Sequence, residues 1–149
     1  MRYLLIDPAE RTVTEHDPRK LGREFFYREI RCDIFERVAF APGVDMWVDE
    51  HGLLGEKPDP TFFTVAGTGK LFSGRAVLCG RDSLGNCRAA PAGVTIAKVA
   101  ALIVFLGGET DVEAAIARGE IMRPESAIVS PGGRREVFWT WHPSAGVAP

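Results

Sequence analysis

The sequence predicts an α+β domain: a mainly antiparallel sheet of five or six strands packed by two principal helices, with a short helix and a β-hairpin at the carboxy end. Three observations carry that expectation. Strand-like runs are bounded by Pro, Gly, Asp and Asn at turn positions, and one segment sets apolar residues at helical spacing. The chain of 149 residues, 46% hydrophobic and 26% charged, is also long enough to bury a core without disulfide or metal staples.

A hairpin opens the chain. Arg2 to Asp7 reads as a strand, Asp7 and Pro8 suit the first two positions of a type I turn, and the β-branched run after Arg11 reads as the return strand. In "HDPRKLGREFFYREIR", Asp17 is expected to cap a helix whose first position is Pro18. Leu21, Phe25, Phe26 and Ile30 line one side of it, and Glu24 and Arg28 form an i,i+4 pair on the other. Ile34 to Phe40 and Asp45 to Asp49 form a second hairpin around Pro42-Gly43, followed by a turn at His51-Gly52. Past the proline-bounded loop "EKPDP", the strand Phe62 to Val65 leads through Gly67 to Gly74 into "RAVLCG" and the turn "RDSLGN".

From Pro91 the texture changes. "VTIAKVAALIVFL" is apolar almost all round and is read as a helix, Val94 to Leu106, buried on several sides or by another subunit and stopped by Gly107-Gly108. Thr110 with Glu113 makes a capping-box pattern for a short helix, Asp111 to Arg118, closed by Gly119. "SAIVSPGGRREVFWTWHP" reads as strand, glycine turn and strand, and "SAGVAP" as a loose tail. One domain spans 1–149.

Composition excludes several functions. The formal charge of -2 is interspersed along the chain, which argues against duplex nucleic acid as the main partner and against a DNA mimic. The longest apolar run, Val99 to Leu106, is far short of the roughly 18 to 20 residues of a membrane span. The amino terminus lacks the pattern of a secretion signal, so a cytoplasmic location is expected. Cys32, Cys79 and Cys87 are odd in number and contain no CxxC pair. They are read as thiols packed like small hydrophobes in a reducing compartment.

Five candidate sites are weighed. Gly67-Thr68-Gly69-Lys70 has Thr64 where a phosphate-cradling loop needs its first Gly and Leu71 where it needs Ser or Thr, so a tight glycine-rich connection is preferred. Asp45, Asp49 and His51 form the densest cluster of metal-competent side chains, yet a hairpin end with solvated charges is the favoured reading. Cys79 with His51 or His142 lacks any motif for a nucleophile and its base, and Ser73 lacks the GxSxG elbow. In "RREVFWTWH", Arg134, Arg135, Trp139 and Trp141 make the best ligand or partner surface, with core packing the first reading of the two tryptophans. No catalytic residue, metal or cofactor is called for.

Three stretches, "RYLLIDPAERTV", "MWVDEHGLL" and "FFTVAGTGKLFSGRAVLCGRDSLGN", together resemble a family of small phage- and plasmid-encoded proteins carrying a domain of unknown function. The resemblance covers about residues 1–107, leaving 108–149 as a carboxy-terminal extension of the family-like core, and implies a mobile-element origin and action in a bacterial host cytoplasm. It transfers no catalytic residues.

The function expected on these grounds is that of a non-catalytic accessory binding protein that engages a host protein or sequesters a small ligand. Two alternatives are a metal-assisted hydrolase acting on nucleotides through Asp45, Asp49 and His51, and a structural or assembly protein forming homo-oligomers through the Val94 to Leu106 helix.

Overall fold

The computed structural model describes residues 1–53, 59–129 and 135–142. The α+β class is as expected, and the strands are paired antiparallel throughout. Strands β1 (Tyr3–Asp7) and β2 (Thr12–His16) form the opening hairpin. Its turn is fixed by Asp7, whose Oδ1 accepts the N–H groups of Ala9 at 3.0 Å and Glu10 at 3.3 Å. Strands β3 (Phe35–Ala41) and β4 (Val44–Asp49) form the second hairpin, with Gly43 at φ 71° in the left-handed region that its turn requires.

The later strand β7 (Ala76–Arg81) lies between these hairpins and pairs with both β1 and β4. The first sheet therefore runs β2-β1-β7-β4-β3, and the short β8 (Cys87–Arg88) pairs with β7. Strands β5 (Phe62–Val65), β6 (Leu71–Ser73) and β9 (Ile103–Gly107) make a second sheet in the order β6-β5-β9.

Period-two alternation sends each strand's side chains to two different layers. Leu4, Ile6, Met46 and Leu78 point from the first sheet into a core shared with Phe63, Phe72 and Ile103 of the second. Tyr3, Leu5, Val77 and Cys79 point the other way, against Leu21, Phe25, Phe26 and Ile30. The last three belong to helix α1 (Arg23–Ile30). On the outer face of the second sheet, Phe62, Leu71 and Leu106 meet Val112, Ala115 and Ile116 of helix α3 (Glu109–Ala117). The packing is thus helix, sheet, sheet, helix. Each fully buried Leu, Ile or Phe contributes about 1.5 to 3 kcal/mol relative to exposure.

Four elements depart from expectation. The stretch Gly67 to Gly74, expected to be a connection, contains strand β6, which pairs with β5. Helix α1 starts at Arg23, behind an extended Gly22, because Asp17 is engaged elsewhere: its carboxylate accepts the Met1 ammonium at 2.7 Å. The segment Val94 to Leu106 is no single helix. It divides into helix α2 (Ile96–Ala100), capped by Thr95 Oγ1 accepting the Lys98 N–H, and strand β9, which pairs with β5. A run without a polar face imposes no helical period, while Ile103, Val104 and Phe105 favour the pleated conformation and find the edge of β5. Helix α3 begins two residues early, with Asp111 Oδ2 accepting the Gly108 N–H at 2.9 Å in place of the expected Thr110–Glu113 box.

Strands β10 (Arg123–Val129) and β11 (Arg135–His142) form a separate two-stranded sheet, as the sequence predicts for the tail. The glycine turn between them, the tail "SAGVAP" and most of "EKPDP" lie outside the described residues. Among the described residues no helix is long and apolar enough to cross a membrane.

Candidate functional site

Strand β4 carries Asp45, Trp47 and Asp49 at alternate positions and so presents all three toward the α1 side of the first sheet. Asp45 and Asp49 are four residues apart, roughly 13 Å along an extended strand. The structure consequently divides the sequence-predicted trio. Asp49 and His51 come together at one end of β4, and Asp45 sits at the other.

Asp49 is buried at 8% exposure, and its Oδ1 accepts the His51 N–H at 2.9 Å. The Gly52 N–H bonds back to the Asp49 carbonyl at 3.1 Å, closing the turn. Glycine is required there because a Cβ at position 52 would sit 2.9 Å from the Ser73 carbonyl oxygen. On the facing side α1 ends at Arg31, whose φ of 60° is left-handed and whose N–H bonds the Tyr27 carbonyl at 2.9 Å. Between these two turns lies a cleft of about 280 Å³ lined by Tyr27, Arg31, Cys32, Asp33, Asp49 and His51. The neighbourhood is acidic: burial, then the Glu50 and Asp49 carboxylates, hold the Glu36 carboxyl above its usual range. Sequence reasoning missed Tyr27, Arg31 and Asp33. The available signal was the i,i+4 spacing of Tyr27 and Arg31 at the end of a helix running back to the Asp49 turn.

The other end of β4 is built differently. Asp45, 2% exposed, faces the guanidinium groups of Arg81 at 3.3 Å and Arg37 at 3.9 Å. Cys79 lies opposite Asp45 in the register, and its contacts are the Trp47 indole N–H, which donates to Sγ at 3.2 Å, and the Cys87 Sγ at 2.9 Å. The hydrogen bond with Cys87, followed by burial, pushes the Cys79 thiol up, and the same bond draws Cys87 down. Among the described residues no group of three or more His, Cys, Asp and Glu side chains is placed to hold a metal ion.

Gly67 to Lys70 is the turn of the β5–β6 hairpin, with Gly67 at φ 80° and Gly69 at φ 66°. Its polar groups are used locally: Thr68 Oγ1 donates to the Val65 carbonyl at 2.7 Å and accepts the Lys70 N–H, and Thr64 Oγ1 donates to the Lys70 carbonyl. A strand follows it, so the helix amino terminus that a phosphate cradle needs is missing from this loop. Of the expected partner surface, Arg134 lies outside the described residues, while Arg135, Trp139 and Trp141 fall on β11.

No family model matches the chain, and neither a curated protein nor a solved structure is similar to it at a significant level.

Proposed function

We propose that this chain is a non-catalytic accessory binding protein of a phage or other mobile element, and that it holds a small polar ligand in the cleft at the end of β4. The observation supporting the ligand site is the mixture of charge around His51: Arg31 supplies a cation, Asp33 and Asp49 supply anions, and Tyr27 a hydroxyl. A cleft of about 280 Å³ suits a molecule of amino-acid size bearing both an acidic group and a donor. The mobile-element assignment rests on the resemblance of "RYLLIDPAERTV", "MWVDEHGLL" and "FFTVAGTGKLFSGRAVLCGRDSLGN".

The test is native mass spectrometry of the protein recovered from bacterial lysate, followed by calorimetric titration of the recovered molecule or of an amino-acid and nucleotide panel. A bound small molecule whose affinity falls about tenfold or more in Arg31→Ala and His51→Ala supports the reading, a loss equivalent to roughly 1.4 kcal/mol. Turnover of a nucleotide or ester panel, stopped by Asp49→Asn without unfolding, would establish the hydrolase instead.

A second reading, self-association, is favoured by one feature. Among the described residues β9 is an edge strand of the second sheet, its sequence "IVFLG" carries no charge or proline, and Val104 is 43% exposed beside Leu102 at 42%. Unprotected apolar edges invite strand addition. An oligomer built this way would pair β9 edges, in place of the helix contact expected from the sequence. Light scattering at two concentrations tests it: Val104→Lys should return an oligomer to monomer, and a strictly monomeric parent protein rejects it.

A further inference from the structure

We propose that Cys79 and Cys87 form a redox-active dithiol pair, which a small-molecule disulfide of the glutathione class converts to an intramolecular disulfide.

The pair is assembled by the fold. Cys87 lies opposite Arg81 and Arg88 opposite Gly80, so Cys79 and Cys87 are diagonal neighbours on one face of the β7–β8 ribbon. Between them the chain leaving β8 passes directly over Gly80, where a Cβ would collide with the Ala89 carbonyl oxygen. The two sulfurs converge to 2.9 Å, so closing to a bonded length of about 2.05 Å asks for little movement.

The two thiols are unequal in ways that define their roles. Cys87 is half-buried and therefore reachable, whereas Cys79 is fully buried behind it. The hydrogen bond with Cys79 favours the thiolate at Cys87 and outweighs burial and the Asp45 charge, which oppose it, while the Arg88 charge acts with it. Cys87 is thus the attacking sulfur and Cys79 the resolving one. In the first step the Cys87 thiolate attacks one sulfur of the oxidant disulfide, forming a mixed disulfide and expelling one thiolate. In the second, the Cys79 sulfur attacks Cys87 and expels the second small thiolate, which takes up the Cys79 proton as it leaves. Two protein thiols and one small disulfide become one protein disulfide and two small thiols. The Trp47 indole N–H, bonded to the Cys79 sulfur at 3.2 Å, places a fluorophore against the reacting bond.

The test uses the full chain, folded, equilibrated with graded ratios of reduced and oxidised glutathione, then alkylated and mapped by peptide mass spectrometry. The expected result is loss of two of the three alkylatable thiols, recovery of a Cys79–Cys87 linked peptide, and retention of the Cys32 thiol. Tryptophan emission should fall with the same midpoint, and Trp47→Phe should remove that change. Cys79→Ser should accumulate glutathione on Cys87, while Cys87→Ser should leave Cys79 unmodified. Retention of all three thiols in the folded parent protein, or oxidation confined to intermolecular or Cys32-containing bonds, overturns the proposal even where a variant fails to fold.

Discussion

The Arg81 guanidinium stands 3.3 Å from the buried Asp45 carboxylate, yet Asp45 Oδ1 makes no hydrogen bond there, so the two are joined by charge alone. A contact of that kind depends on the presence of a cation and little on its shape. Arg81→Lys is therefore expected to keep most of the stability, while Arg81→Ala costs about 2 kcal/mol, less than a fully buried pair because Arg81 is partly solvated. Asp45→Asn in the Arg81→Ala background should recover part of the loss. Urea denaturation of the four proteins checks the set, and equal losses for Arg81→Lys and Arg81→Ala would refute it.

Gly80 is where β8 closes over β7, and any side chain there must push against the Ala89 carbonyl. Gly80→Ala is expected to destabilise by about 2 kcal/mol or more, since backbone cannot move aside as a side-chain tip does. It should also separate Cys79 from Cys87. Thermal melting, with disulfide yield under oxidised glutathione, reads both effects.

Asp82 organises the turn between β7 and β8. The Asn86 amide first of all, with the Asn86 side chain, the Leu84 amide and Arg88, holds its carboxyl below the usual range. A carboxyl depressed in the folded state contributes stability that is present above its unfolded pKa and lost as pH falls through the folded value. The Leu84 and Asn86 amides should lose protection, measured against the intrinsic exchange rate at each pH, as the solution is acidified below the ordinary carboxylate range. Asp82→Ala should show fast exchange at neutral pH. Hydrogen exchange by NMR measures this.

Tyr3 behaves oppositely at high pH. Burial, then the Glu29 charge and its hydrogen bond, push the phenol from 10.0 up to about 12. A raised folded pKa means that the stability is intact below pH 10.0 and is lost as pH rises toward about 12. Tyrosinate absorbance should show one tyrosine titrating late, and Tyr3→Phe should remove that late step and flatten alkaline unfolding.

The two opening hairpins were legible in the sequence because Asp7 and Gly43 each mark a turn by a physical requirement, although β1 and β4, covered on both faces, are buried almost continuously and show no alternation. The segment Val94 to Leu106 was not legible as helix plus strand. Its uniform apolarity hides the period, and only the change from Ala-rich "IAKVAA" to β-branched and aromatic "IVF" marked the break. Asp45, Asp49 and His51 form the densest polar cluster by sequence proximity alone, and the rise of β4 sets Asp45 roughly 13 Å along the strand from Asp49. The Cys79–Cys87 contact was invisible for the complementary reason: no spacing motif covers a pair brought together by ribbon register and a missing Cβ.

The placement of β7 between β1 and β4 has a consequence for synthesis on the ribosome. The two early hairpins, containing Leu4, Ile6 and Met46, share no ladder until Ala76–Arg81 has left the exit tunnel. A nascent chain halted before that point would present two apolar ribbons lacking the strand that joins them, a natural client for chaperones. Translational pausing upstream of Ala76 should lower the yield of native protein more than an equal pause placed after Gly107.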